Sequence, residues 1–318
     1  MKARNNEDLR RDELVSVSDP DKALAEMHST LLSFAPALDY ALMDKVHADT
    51  RRLFEGRFPG YRACNTKYHD LAHTVSVALG TTRLLHGYAV RGQVFEPRDA
   101  LLCIVGALFH DSGLIQFDVD LEGSGAKYTV GHEERSVQFA ETYLSHLGFS
   151  DQEIENCGNF IRCTILDLSP SQIPFPSKDI RTLGHIVGSA DLLAQMADRY
   201  YLEKLLLLFK EFEEARLPGF DSELTLLQKT EAFYQNVAKK RLSDELGGAS
   251  QYMIYHFRER WGVDRDLYAE SISKNITYLR KLSLLCDGAF TCYLANLRRG
   301  GITHKILRSL RANKQAQG

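Results

Sequence analysis

PRDALLCIVGALFHDSG, residues 97–113, decides how the chain is read. Pro97 fits the first position of a helix, where its missing N–H costs nothing. Ala100–Phe109 is then nearly apolar on every side, so the spacing predicts a helix that is central and buried. With about ten apolar residues it is far short of the ~20 needed to span a bilayer. The run ends in His110-Asp111. A carboxylate at the inner end of an apolar helix is costly unless something compensates its charge.

Outward from that helix, helical periodicity dominates and strand-like alternation with hairpin turns is not found. Helices are predicted over 21–35, 38–55, 68–88, 132–147, 151–166, 181–199, 200–216, 222–246, 249–261 and 265–297, with residues 1–20 loose. Phe58-Pro59-Gly60, Gly123–Gly131, the proline-rich 168–177 and Pro218-Gly219 read as turns or loops. The expected fold is all-α: one helical globule with helical extensions at both ends. Its segments are 1–55, a core over 56–216, and 217–318 packed on that core.

The chain has 318 residues, 44% hydrophobic and 25% charged, which excludes wholesale disorder and fibrous classes. Its formal charge is −3. Six of the 39 bases (Arg298, Arg299, Lys305, Arg308, Arg311, Lys314) lie in 298–318 with no acid, so residues 1–297 hold 33 bases against 42 acids. An acidic body of this kind gives no strong nucleic-acid signal. The N-terminus lacks an apolar signal segment. Cysteines 64, 103, 157, 163, 286 and 292 form no C-x-x-C pair and read as reduced thiols of a cytoplasmic protein.

Four places join His and Asp on predicted helices. YHDLAHT (68–74) sets His69 and His73 four residues apart, on one helical face. His110-Asp111 closes the buried helix. His132 opens a helix, and Asp191 lies within SADLLAQMADRYY (189–201). Imidazole and carboxylate together suit Mn, Fe, Zn, Co or Ni, and accommodate Mg where carboxylate and water dominate.

The ordered set His73, His110-Asp111, Asp191 resembles the HD superfamily of metal-dependent phosphohydrolases, over roughly residues 60–215. The resemblance implies that His73, His110, Asp111 and Asp191 ligate one or two divalent ions (Mn, Mg, Fe, Zn or Co). The cyclic-nucleotide phosphodiesterase branch looks closest, through Tyr68-His69-Asp70. By that likeness His69 is the proton donor to the leaving group, and Asp111, bridging, fixes the attacking water.

The chain departs from that branch in specific places. Ser76 stands where it has an Asp, and Leu114 where it has a His. His132 matches a ligand of dinuclear relatives, as a second-metal or phosphate contact, but their further His falls on Cys163 or Thr164. Cys163 itself reads as a buried thiol. Asp70, Gln195 and Asp198 are pocket candidates. For Asp70 a helix-start carboxylate is the competing role, and for the other two a polar strip beside any cleft. Lys127 either reaches a phosphate or is a solvated loop lysine, and His185 reads as a satisfied interior residue.

The implied activity is a metal-dependent phosphohydrolase, a phosphodiesterase acting on a small nucleotide or related phosphoester, with no membrane partner and a homodimer left open. The alternatives are a mixed-valent di-iron oxygenase, against which the missing His at 163/164 counts, and a non-catalytic HD sensor.

Overall fold

The computed structural model describes residues 10–16 and 18–304. All-α architecture is what these residues adopt: thirteen α-helices, and no sheet beyond an isolated antiparallel bridge between Tyr61 and Phe117. The stretch 305–318, which holds four of the six tail bases, lies outside the described residues. None of the described helices is long and apolar enough to cross a membrane.

Two short N-terminal elements come first, α1 (Arg11–Leu14) and α2 (Pro20–Leu32). Asp19 caps α2 by accepting from Lys22 N, Pro20 takes the first turn, and Ala23, Met27 and Leu31 line its buried face at four-residue spacing. α3 (Tyr40–Phe54) is capped in the same way by Asp39. α4 (Leu71–Val90) buries nearly every residue from His73 to Tyr88, and α5 (Pro97–Phe109) buries all of Ala100–Phe109. The outer elements follow as α6 (His132–His146), α7 (Asp151–Arg162), α8 (Lys178–Met196) and α9 (Tyr201–Glu214). The last are α10 (Glu223–Phe233), α11 (Met253–Trp261), α12 (Leu267–Cys286) and α13 (Phe290–Asn296).

α4 and α5 lie side by side at the centre, and α8 packs across both. α2 and α11 cover α4, α3 and α7 cover α5, and α6 lies on α7. An apolar core runs from Met27 to Leu297, so the three sequence segments share it. Polar ties reinforce that sharing. Arg241, buried in the C-terminal third, donates to the carbonyls of Cys163, Ile165 and Leu168 beyond the end of α7. Asn275 of α12 donates to Met196 O and Asp198 O at the end of α8. Helix-end carbonyls have no partner of their own, and these side chains supply one.

The structure corrects four expectations. First, α4 does not begin at Tyr68. Asp70 is its N-cap and accepts from His73 N at 2.8 Å, so Tyr68 and His69 sit in the preceding loop, and His69 and His73 do not share a helical face. An Asp beside an apolar helical run satisfies an orphan N–H better at the cap than inside the helix.

Second, the long C-terminal helices are interrupted. Past α10 the chain widens into π-type turns over Tyr234–Ala238 and Arg241–Glu245. Between α12 and α13, Asp287 and Gly288 take positive φ (42° and 76°), which reverses the chain. Third, that reversal brings Cys292 back beside Cys286, and the two form a disulfide with Cα atoms 5.4 Å apart. The reading of all six cysteines as reduced therefore fails for this pair. Cys64, Cys103, Cys157 and Cys163 are free thiols. The start of the chain differs too: residues 11–14 are helical, and Arg11 is buried with its guanidinium donating to Ala197 O.

Candidate metal centre

The ends and middles of three central helices converge at one point. The first turn of α4 presents His73, held by the Asp70 cap. His110 is the residue on which α5 ends, and its Nδ1–H donates to Ala107 O at 2.8 Å, which leaves Nε2 bare to face inward. Asp111 follows directly. α8 presents Asp191 from its middle.

His73 Nε2 and His110 Nε2 are 3.3 Å apart. Asp111 Oδ2 lies 3.5 Å from the first and 3.2 Å from the second. Asp191 Oδ1 lies 3.2 Å and 3.7 Å from the same two nitrogens. Ligands each held at about 2.0–2.2 Å from a common ion are separated by roughly 3–3.5 Å, the edge of a coordination polyhedron. Asp111 Oδ2 is fully buried and has no hydrogen-bond partner. An orphaned carboxylate oxygen is expensive in a protein interior, and a cation shared with the facing nitrogens of His73 and His110 would satisfy it. The donor set fits a divalent ion of the Mn, Fe, Zn or Co kind.

The other oxygen of Asp111 faces a different group. Oδ1 lies 3.3 Å from His132 Nε2, and His132 Nδ1–H donates to Thr129 O at 2.8 Å. His132 therefore presents its Nε2 to the cluster just as His110 does. Its approach depends on Gly113. A Cβ at that position would overlap His132 O and come within 2.7 Å of Ser136 N. Ser136 Oγ locks the same junction by accepting from Gly113 N and donating to His110 O. The doublet and the start of α6 are thus built as one piece.

Burial alone would raise the Asp111 carboxyl. The charges of His110 and His69 and the hydrogen bonds of His110 and His132 overrule it and hold the group well below the usual range. Burial would lower His110, yet the Asp111 charge raises it to about 9. His132 is raised as well, against burial, chiefly by its contact with Asp111. The cluster demands positive charge, which either protons or a metal ion can supply.

His69 reaches the cluster from the loop before α4. Its ring stands 5.8 Å from that of His73 and 5.9 Å from that of His132. Its Nδ1–H donates to Glu211 Oε2 at 2.6 Å. Glu211 Oε1 accepts from Lys67 N (2.8 Å) and Tyr68 N (2.7 Å), so one buried carboxylate pins the whole loop. Burial would lower the His69 pKa. The Asp111 charge and the Glu211 hydrogen bond raise it to about 9. Glu211 was not anticipated from the sequence. It lies in LEKLLLLFKEFEE of α9, where an acid between apolar residues looks like the wet face of an amphipathic helix.

The cluster is open on one side. Side-chain exposure is 16% at His69, 14% at Asp191 and 12% at His132, against 6% at His73 and 2% at His110 and Asp111. A ligand therefore approaches past His69, His132 and Asp191. A cavity of about 280 Å³, lined among others by Thr66, Lys67 and Asp70, lies against the same loop.

The remaining candidates have other employment. Asp70 caps α4, and Gln195 Oε1 accepts from Tyr68 OH at 3.0 Å, supporting the loop from α8. Asp198 pairs with Lys204 at 2.7 Å and caps the turn into α9 through Tyr200 N. Lys127 binds Asp120 and the carbonyl of Glu122, bracing its own loop. Cys163 is buried, its thiol pushed up to about 12 by desolvation, and a Cβ on Gly184 of α8 would meet its sulfur. Thr164 Oγ1 donates to Ile161 O. Neither stands in for a ligand. His185 packs edge-on against Phe175, with its pKa lowered to about 4 by burial.

Compared with family models, curated proteins and solved structures, the chain matches none of them.

Proposed function

We propose that the protein is a divalent-metal-dependent phosphohydrolase of the HD type, a phosphodiesterase acting on a small nucleotide or related phosphoester. The observation that supports this most is Asp111: one buried oxygen without a hydrogen-bond partner faces His73 and His110, and the other faces His132. A carboxylate so placed suits either one ion or a bridged pair.

A bound divalent ion supplies neutralisation of the phosphate charge and lowers the pKa of water towards neutrality. The chain's own groups do the rest. Asp111 and Asp191 fix where positive charge sits. His69, partly exposed at the open side, would face an arriving ester and give its Nε2 proton to the departing alkoxide oxygen. Glu211 holds the ring orientation and keeps the proton on the imidazole. Such proton transfer is typically worth 10²–10⁴-fold. His132, whose Nε2 faces Asp111 Oδ1, would hold a second ion or a phosphate oxygen.

A panel of cyclic nucleotides, nucleotides and nitrophenyl phosphodiesters, each with Mn²⁺, Mg²⁺ or Fe²⁺, tests the reaction class. Metal-dependent turnover that disappears in Asp111→Ala is expected. Turnover that survives in that variant overturns the assignment, as does uptake of O₂ by iron-loaded protein without ester cleavage.

A further inference from the structure

A second cavity lies away from the metal centre. It holds about 450 Å³ and lies where α1, the end of α8, α12 and the chain after α13 meet. A small-molecule site typically occupies ~300–1,000 Å³. Its charge is one-sided. Among the described residues, Arg10, Arg11, Arg199, Lys274, Lys281 and Arg299 line it, against the one acid Glu270. Glu270 is itself engaged by Arg265 at 3.1 Å and by Lys274 at 3.6 Å. In a chain with 42 acids to 39 bases, this concentration of cations around one hollow favours an anion.

One of the lining cations is fixed in place by the fold. Arg11 is 7% exposed, and its Nε has no hydrogen-bond partner. Its guanidinium lies over the Tyr268 ring, 4.9 Å from the centroid, and donates to Ala197 O at the end of α8. Arg299 is placed over the Tyr278 ring at 5.4 Å. Two of the cationic side chains are therefore positioned by aromatic faces rather than waving in solvent.

We propose that this cavity binds a small polyphosphorylated anion, at a site separate from the metal centre. Lys274 and Lys281 are seven residues apart on α12, which separates them by ~10 Å along the helix axis. A chain of three phosphates carries more charge than a single phosphate and spans most of that distance, so it engages both lysines without drawing them together. Charge also excludes the chain's own tail as the occupant, because residues 305–318 carry four bases and no acid. α8 connects the two places: Ala197, which lines the cavity, is six residues from Asp191, or ~9 Å along the helix.

The test is calorimetric titration of the full chain, freed of metal by chelation, with inorganic tripolyphosphate at ~150 mM salt, where weak surface pairing is largely screened. Tripolyphosphate is expected to bind at least tenfold more tightly than monophosphate. The double variant Lys274→Ala/Lys281→Ala should weaken it at least tenfold; both residues are exposed on α12, so the fold is retained. Asp111→Asn should leave the binding unchanged, which separates this site from the metal centre. The proposal is overturned if tripolyphosphate does not bind, or if the double variant binds it as well as the wild type. Abolition by Asp111→Asn overturns it too, as does displacement of tripolyphosphate by an oligonucleotide that binds more tightly, which would assign the face to nucleic acid.

Discussion

Glu211 Oε2 accepts the Nδ1 proton of His69 at 2.6 Å, across 142 residues of chain. The contact fixes the tautomer of His69 and leaves its Nε2 as the only nitrogen free to exchange a proton with a substrate. A carboxylate behind an imidazole both orients the ring and stabilises its protonated form.

Glu211→Gln keeps the size and removes the charge. The pKa of His69 should fall towards 6.5, and one amide group cannot reproduce three acceptor contacts. Hydrolysis of an ester with a poor leaving group should slow by about 10²-fold, and that of a nitrophenyl ester far less, because only the former needs the proton. Steady-state kinetics on the two ester types checks this. Equal losses on both would show that Glu211 acts only by holding the loop.

Gly113→Ala places a methyl group against His132 O and the start of α6. The clash is with backbone, which cannot swing aside, so a cost of about 1–3 kcal/mol is expected. The lesion should also move His132 away from Asp111. Chemical denaturation measures the first effect, and the number of metal ions retained per chain measures the second.

His256 and His86 face each other inside the fold, Nδ1 to Nδ1 at 3.2 Å. Burial, with Arg83 and His86 adding to it, pushes the pKa of His256 well below its ordinary value; burial lowers that of His86 also. The unfolded chain, with histidine near 6.5, then binds more protons than the folded one in acid. Stability from this pair is thus fully present above pH ~6.5 and is lost as the pH falls below it. Melting temperature should drop between pH 7.5 and 5, and His256→Gln should flatten that drop. An unchanged slope in the variant would count against the pair as its source.

Much of this was legible in advance, for identifiable reasons. Ala100–Phe109 is apolar on all sides, so its place at the centre follows from its composition, and His110-Asp111 at its end had to lie inside. His73 and Asp191 sit on helices whose apolar faces must pack on that one, which brings all four residues together. His132 was placed at a helix start, but only the family resemblance made it a candidate ligand. What escaped reading depends on contacts distant in sequence. Glu211 looks like a surface acid until α9 is laid against the His69 loop. The Cys286–Cys292 link is invisible until Asp287-Gly288 turns the chain back. The start of α4 slipped from Tyr68 to Leu71 because Asp70 competes for the cap, and periodicity alone does not weigh that preference.

The most direct test of the metal centre is metal content against thermal stability. The protein is stripped with chelator, titrated with Mn²⁺, Fe²⁺ or Zn²⁺, and analysed by elemental mass spectrometry and thermal unfolding. The wild type should retain at least one ion per chain. At a free-ion concentration one hundred times the dissociation constant, it should gain about 2.7 kcal/mol of stability. Stripped Asp111→Asn should be less stable than the stripped wild type, because the imidazoles of His110 and His132 lose the charge they face, and it should neither retain ions nor gain stability from them. An Asp111→Asn protein that still holds one ion per chain and is stabilised by it as the wild type is would contradict the account.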